Sequence, residues 1–513
     1  MVENRPRRGG WRCAISTFVL GLLLVAPAVA QSFLPDQPVV APVFDFFQPP
    51  RLPPVLTKTL SAARTGELDV LSLIQRPQWL DEGLPFQTAQ MRPEQALGTP
   101  IGLGSAGPNL EEPNRDMGAP LSDDKLRPTV NLTVQLQSDF AWFDQTEANR
   151  QAVGNIPDGA FFRRARMGVM GDLYKNIEYR IEFDFAGEAR PQFLDLWIAM
   201  TNLPLQQNII VGHFFEPFSL ERYTPNRFIT FNERALVDSL SPARNMGAML
   251  YGHTENERIT WAVGAFRTRS DDYGDHVSNQ GGWAITAHST ILPWYLESDE
   301  YTLYMLHLGA SYSYRAGDDD PLRFRSRPSI RMNQQGVGGV PNFVDTGDIL
   351  NSENYRLYGL EAAWVHGPFS VQGEWIAASV PLGPESPPFF HGAYIYASWF
   401  LTGESRSYSR TNILGRFREG IFQRVIPRSN VWDRRSEGIN GPGAWEVAAR
   451  WSYLNLNSAG IQGGYLEDWT LGVNWYLNPY TRISANYVHP ILHDNQNRKS
   501  TAGMYSLRFQ FEY

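Results

Sequence analysis

From about residue 128 onward, apolar and polar side chains alternate with a period of two. Val130, Leu132, Val134 and Leu136 alternate with Asn131, Thr133, Gln135 and Gln137. Ile177, Tyr179, Ile181, Phe183 and Phe185 alternate with Glu178, Arg180, Glu182 and Asp184. Trp445 to Tyr453 and Trp469 to Leu477 repeat the pattern, and the last residues set Tyr505, Leu507, Phe509, Phe511 and Tyr513 against Ser506, Arg508, Gln510 and Glu512. A strand sends successive side chains to opposite faces, so each segment has one apolar and one polar face. Segmentation predicts strands near 128–143, 160–173, 177–186, 193–201, 207–214, 245–253, 258–267, 283–292, 303–315, 354–365, 369–379, 388–404, 442–454, 466–477, 481–489 and 502–513. That is about sixteen, an even number within the range of single-chain bacterial outer-membrane barrels.

One such strand suits a soluble sandwich as well as a membrane barrel. Charged residues recurring on the polar parity decide between them, because they suit a wet lumen and not a packed core. The expected fold class is all-β: an antiparallel transmembrane β-barrel of about sixteen strands, apolar parity to lipid and polar parity to water. Connection lengths orient it. Tyr174-Lys175-Asn176, His366-Gly367-Pro368 and Asn478-Pro479-Tyr480 are short turns, which belong on the periplasmic side, and the long connections lie outside. The third outer loop then runs from about Phe215 to Arg244 and the fifth from about Ala316 to Glu353. Ser405 to Gly441 breaks the rule: it falls on the periplasmic side yet is long, so it is either loose there or folded into the lumen.

The segment ahead of the barrel differs. Arg5, Arg7, Arg8 and Arg12 precede an apolar run from Ala14 to Val25 and a small-residue site at Ala26-Pro27-Ala28-Val29-Ala30. This reads as a secretory signal peptide over residues 1–30. The single cysteine, Cys13, falls inside it, which excludes a disulfide framework in the mature chain. Residues 31–127 are rich in Pro, Gly and Gln without sustained alternation and read as a mostly disordered periplasmic linker. Residues 128–513 form the expected barrel.

Composition changes the picture little. Mean hydropathy is −0.33, as for a soluble protein, but half of every barrel strand is polar. Aromatics make up 13% of the chain, with 15 Trp and 22 Tyr, enough for interfacial girdles. A net charge of −8 gives no global basic field, so nucleic acid is not an expected partner. His213, His288, His307 and His391 lack metal-ligand spacing, and no nucleophile motif appears, so neither a cofactor nor an enzyme is expected.

Local charge is more informative. The long periplasmic connection carries Arg406, Arg410, Arg416, Arg418, Arg424, Arg428, Arg434 and Arg435 against Glu419, Asp433 and Glu437. Arg222, Arg227 and Arg234 lie in the third loop. Arg164 and Arg166 share the lumen parity of the second strand, Arg163 sits nearer its rim, and Arg180 points inward on the third. Guanidinium groups bind phosphate-like oxyanions bidentately, and rings of Arg make anion pores. Two assignments stay open at this point. These arginines line an anion path, or they are ion-paired with inward Glu178, Glu182, Asp184 and Asp195.

Several runs carry a family resemblance. They are 162–169 (FRRARMGV), 182–186 (EFDFA), 211–221 (VGHFFEPFSLE), 229–236 (ITFNERAL), 242–247 (PARNMG), 399–406 (WFLTGESR), 443–450 (GAWEVAAR) and 472–479 (GVNWYLNP). In this order they resemble the phosphate-selective porin O and P family from about residue 128 to the end. The resemblance implies a homotrimeric channel in the outer membrane of a Gram-negative-type cell, with an arginine ladder guiding phosphate or polyphosphate and loops folded inward. The implied pore-lining set is Arg163, Arg164, Arg166, Arg180, Arg222, Arg227, Arg234, Arg416, Arg418, Arg424 and Arg428. Expected partners are small anions such as phosphate, outer-membrane lipid, further copies of the chain and the barrel-assembly machinery. The alternative is a general or carbohydrate-type porin, with inward Tyr394, Tyr396 and Tyr476 as a sliding surface for sugars.

Overall fold

Alternation at this density leaves each strand unable to bury both faces, and the chain resolves this by closing on itself. The computed structural model describes residues 128–513 apart from 175, 187–190, 269–281, 318–320, 333–338, 384–385, 411–419, 432–439 and 497. The expected signal peptide and Pro-rich segment, and Arg416 and Arg418, lie outside the described residues.

The strands are β1 (Asn131–Gln145), β2 (Gly159–Tyr174), β3 (Ile177–Asp184), β4 (Gln192–Leu203), β5 (Gln207–Phe215), β6 (Arg244–His253), β7 (Ile259–Arg267), β8 (Trp283–Asp299), β9 (Thr302–Ala316), β10 (Arg325–Ser326), β11 (Val344–Asp345), β12 (Asn354–His366), β13 (Phe369–Ser379), β14 (Phe389–Phe400), β15 (Tyr408–Ser409), β16 (Ile421–Phe422), β17 (Ala444–Ser458), β18 (Ile461–Asn478), β19 (Thr481–His493) and β20 (Lys499–Glu512). Sixteen of them form one closed antiparallel barrel in chain order. The two-residue ladders β10–β11 and β15–β16 stand apart from it, in the fifth loop and the long periplasmic connection. Closure pairs β1 with β20, from Gln135 opposite Glu512 to Gln145 opposite Ala502. No backbone edge is then left facing lipid, which is the condition for a sheet to span a membrane.

Burial is inverted relative to a soluble protein. On β1, Leu132 and Leu136 are 49% and 39% exposed while Gln135 and Gln137 are 1% and 0% exposed. Outward Trp283, Trp294, Trp364, Trp399 and Trp469 are exposed as well, as expected of aromatic belts at the two membrane surfaces. Near the periplasmic rim Trp445 and Trp475 stack 5.1 Å apart, and both indole N–H groups donate to the Pro442 carbonyl.

The apolar core is inside the barrel, built by segments that fold in. Phe218, Phe231, Leu236 and Val237 of the third loop join Phe324, Ile330, Val340 and Phe343 of the fifth in one cluster. A second cluster joins Phe215, Leu220 and Tyr223 to Tyr408, Ile421 and Phe422 of the long periplasmic connection. It rests on an apolar sector of the wall that includes Trp197, Ile210, Met249 and Met305. Tyr408, Ile421 and Phe422 of that connection are therefore packed in the lumen, which favours the second of the two alternatives the sequence left open.

One register detail moves a candidate side chain. The β1–β2 ladder shifts between Gln137 and Ser138, so that Gln137 pairs Arg164 and Ser138 pairs Phe162. Arg163 is the extra residue of this bulge, and its guanidinium reaches inward to Glu233 instead of staying at the rim.

Removing Phe511 to Tyr513 is expected to abolish assembly, because it strips partners from both β1 and β19 and reopens an edge in lipid. The readout is loss of the heat-modifiable band on a denaturing gel. Arg508→Ala is expected to weaken a barrel that still assembles. Arg508 is fully buried and bonds both Asp139 oxygens at 2.7 Å and Glu233 at 2.9 Å. Breaking a buried pair from one side costs about 3–5 kcal/mol, which should lower the temperature at which the folded band disappears. An unchanged transition would contradict the role given to this residue.

Candidate anion-conducting site

The third outer loop, residues 216–243, carries irregular backbone through the lumen. Its peptide groups need partners there, since an unpaired buried carbonyl or amide is costly. The wall supplies them from the strands opposite. Arg508 donates to the Asn232 carbonyl at 2.5 Å, Arg482 to Ile229 at 2.8 Å and Arg450 to Glu233 at 3.0 Å. The Gln510 and Asn474 amides donate to the Arg227 and Thr230 carbonyls. In the other direction, the loop's Asn232 and Leu236 N–H groups donate to Asn486 and Ser452. Sequence reasoning singled out none of Arg450, Arg482 and Arg508. Each lies on the inward parity, but a loop more than two hundred residues away gives it its role.

The candidate arginines fall into distinct groups. Arg166 pairs with Asp184 at 2.8 Å, Arg180 with Glu182 at 2.8 Å and Asp195 at 3.4 Å, and Arg227 with Glu182 at 3.1 Å. Arg244, absent from the expected set, completes this group by pairing with Asp195 at 2.9 Å. Arg222 pairs with Asp238 at 2.7 Å, and Arg234 donates to the carbonyls of Glu221, Arg222 and Thr224. These contacts neutralise or brace the loop and the wall.

A second group is unbalanced. Arg163 clasps Glu233 through two bonds of 2.7 and 2.9 Å. Arg164 donates to Gln137 at 2.6 Å, and its Nε has no partner among the described residues. Arg508 reaches Glu233 from the other side, and Arg331 of the fifth loop approaches it at 3.9 Å. Arg327 has Asn342 as a partner at 3.3 Å and lies within electrostatic range of Arg163. Four guanidiniums (Arg163, Arg164, Arg331, Arg508) thus lie around Glu233, with Asp139 on Arg508, Asp238 in range of Arg331, and Arg327 in range of Arg163 and Arg331. Burial alone would raise the Glu233 carboxyl, but Arg163, Arg164 and Arg508 hold it well below the ordinary range. Arg331 is pushed down to about 10 by burial, against the pull of Glu233 and with the push of Arg163 and Arg327. Its side chain is nonetheless 37% exposed, so it can meet a solute.

Sequence reasoning also passed over Arg327 and Arg331. The signal was present in the run Arg323, Arg325, Arg327 and Arg331, but the larger charge excess at 406–435 drew attention from it. In the structure Arg323 is tied to Asp345 by two bonds of 2.6 and 2.7 Å, while Arg327 and Arg331 turn toward the Glu233 group.

At the periplasmic mouth Arg424 pairs with Glu512 at 3.0 Å and lies 4.6 Å over the Tyr480 ring. With Arg227, Arg482, Tyr476 and Tyr480 it lines a small cleft beside the turn at Asn478 to Tyr480. Arg428 stands apart, donating to Thr302 and facing Tyr301. Tyr394 and Tyr396 stack on each other and are buried, the latter against Phe231 of the third loop. Tyr476 is buried with its hydroxyl on Glu446. These three rings do not present the continuous open face that sliding sugars require. Among the described residues no group of His, Cys, Asp and Glu is arranged to hold a metal ion.

The chain compares with known proteins as follows. A family model described as phosphate-selective porin O and P matches residues 130–513. Porin O of Pseudomonas aeruginosa is 27% identical over 391 residues, covering 70% of this chain and 82% of that protein. An uncharacterized protein of Caulobacter vibrioides is 28% identical over 344 residues, covering 64% and 62%. Among solved structures, an anion-selective porin from Comamonas acidovorans aligns with a TM-score of 0.48 at 10% identity, covering 75% of this chain and all of that one. OprB of Pseudomonas putida aligns at 0.47 and 9% identity, covering 75% and 94%. The family match spans most of the chain and agrees with a closed sixteen-stranded barrel holding arginine-lined segments. The chain belongs to the phosphate-selective porin O and P family and is an anion channel of the outer membrane.

Proposed function

We propose that phosphate-like oxyanions are drawn in by the guanidinium group around Glu233 and leave past Arg424 at the periplasmic mouth. One observation carries this reading. Among the described residues, three guanidiniums near Glu233 (Arg164, Arg327 and Arg331) are not committed to loop backbone or to a close ion pair, and of these Arg327 and Arg331 come from the fifth loop. A positive group in a narrow, low-dielectric lumen focuses field more strongly than the same charges on an open surface. Planar N–H forks then suit a tetrahedral oxyanion better than chloride. Arg166, Arg180, Arg222, Arg227 and Arg234 serve chiefly to hold the lumen's shape, with Arg227 also lining the exit cleft. Arg416 and Arg418, outside the described residues, remain in this reading members of the expected anion-binding set.

We further propose the homotrimeric state that the family resemblance implies, seated in outer-membrane lipid and delivered by the barrel-assembly machinery, with a transport role and no catalytic one. Residues 31–127 act in this scheme as a periplasmic tether behind a cleaved signal peptide.

Two outcomes follow in planar bilayers. In a potassium chloride gradient the reversal potential should report anion preference, and added phosphate should block chloride current beyond the effect of matched ionic strength. A cation preference would end the proposal. Replacing Arg327 and Arg331 together by Gln should leave assembly intact, since neither donates to the third loop's backbone and Glu233 keeps its bonds to Arg163 and Arg508. Each charge contributes roughly 1–2 kcal/mol at a separation of about 8–15 Å and an effective dielectric near 20. The double change should therefore raise the half-blocking phosphate concentration about tenfold or more. Unaltered block would move the binding step elsewhere.

A further inference from the structure

Away from the arginines, the wall carries a buried cluster of imidazole and carboxylate groups. His288 on β8, His307 on β9 and Glu361 on β12 point inward from consecutive strands of the barrel. Both imidazole Nε2 atoms reach the same carboxylate oxygen, His288 at 2.8 Å and His307 at 3.0 Å. The other nitrogen of His307, Nδ1, lies 2.7 Å from the Tyr408 hydroxyl. With Nε2–H donating to Glu361, a neutral His307 has only a lone pair at Nδ1, so the Tyr408 O–H donates to it.

Tyr408 belongs to the long periplasmic connection, and this contact is one of the points at which that segment is fastened. Tyr408 packs edge-on to Phe422 across the β15–β16 ladder. Beside it Gly420 adopts φ +69°, and a side-chain carbon there would stand 3.1 to 3.3 Å from the hydroxyls of Thr290, Thr260 and Tyr408. The segment thus sits hard against the wall at His307. The other half of the cluster touches the other constricting segment: His288 lies 6.0 Å, edge-on, from Tyr223 of the third loop.

We propose that His288, Glu361, His307 and Tyr408 form a proton-operated latch for the inward-folded periplasmic segment, released as the surroundings turn acid. Protonating His307 converts Nδ1 from acceptor to donor. The Tyr408 hydroxyl then loses its acceptor in a buried place and must find another or pull away. The neighbouring charges do not oppose this step. Glu374 lies directly across the β12–β13 ladder from Glu361, and it accepts from the Glu221 amide and the Tyr394 hydroxyl. The Glu361 carboxylate, bonded to both imidazoles, balances the one proton that this step requires. Other titratable groups around the cluster are Glu221, whose amide meets Glu374, and the hydroxyls of Tyr223, Tyr295 and Tyr394; the cations near Tyr408 are Arg406, over the Phe422 ring, and Arg258 and Arg410, over the Tyr295 ring. The latch is independent of which solute the channel passes.

The test is single-channel recording of the assembled protein in symmetrical potassium chloride, with pH lowered on both sides from about 7.5 to about 5.5 to bracket the imidazole range. The wild type should show brief closures whose frequency rises about tenfold on acidification, the scale of one buried hydrogen bond. His307→Gln should flatten that profile. Tyr408→Phe removes a single oxygen and keeps the packing, so it should show at pH 7.5 the closures that the wild type shows at pH 5.5, with little further change. Glu374→Gln should retain the dependence on pH. A flat wild-type profile, a profile that survives in His307→Gln, or a quiet Tyr408→Phe channel that still responds to acid would each overturn the proposal.

Discussion

Everything inside this barrel depends on how the third loop's backbone is satisfied. An irregular segment threaded through a lumen cannot use a sheet ladder, and its carbonyls would otherwise face a wall with little water. Arg450, Arg482 and Arg508 meet that need from three strands of one side of the barrel, each donating to a main-chain oxygen of residues 229–233. Guanidinium is suited to this work, because it stays charged and offers several donors in a fixed plane. A charge buried in this way must itself be balanced. Asp139 and Glu233 balance Arg508, and Glu221 approaches Arg450 at 3.4 Å.

That arrangement separates two uses of arginine that composition alone merges. Most lumen guanidiniums are structural, holding carboxylates or carbonyls at hydrogen-bond distance. The excess positive charge sits where loops from two parts of the chain meet, with Arg163 on a strand bulge and Arg327 and Arg331 on the fifth loop converging on Glu233. Glu233 is already bonded on two sides, so it reduces the local field without abolishing it. In the proposed reading, conduction and folding fall to different residues within one network.

The strands were legible from the sequence because their signal is local. The alternation at 130–137, 177–185 and 505–513 marks both the elements and their two faces, and turn lengths give the orientation. Inward folding of the long periplasmic connection was legible only as one of two alternatives. The apolar wall sector that receives Tyr408, Ile421 and Phe422 is assembled from strands far apart in the chain. Arg163 was placed at the rim because a bulge in the β1–β2 ladder depends on the partner strand. Arg327 and Arg331 stood in a visible basic run, but nothing local distinguished them from Arg323, which is spent on Asp345. Parity gives direction, and it cannot say which acid or carbonyl waits at the far end.

The central claim is that loop-borne arginines bind the anion while wall arginines hold the loop. Diffraction from crystals of the channel soaked in arsenate, a tetrahedral stand-in for phosphate with an anomalous signal, addresses it directly. The account expects an anomalous peak beside Arg327 and Arg331, with Arg450, Arg482 and Arg508 still bonded to the third loop's carbonyls. A peak seated on those wall arginines, with the loop carbonyls released, would contradict it.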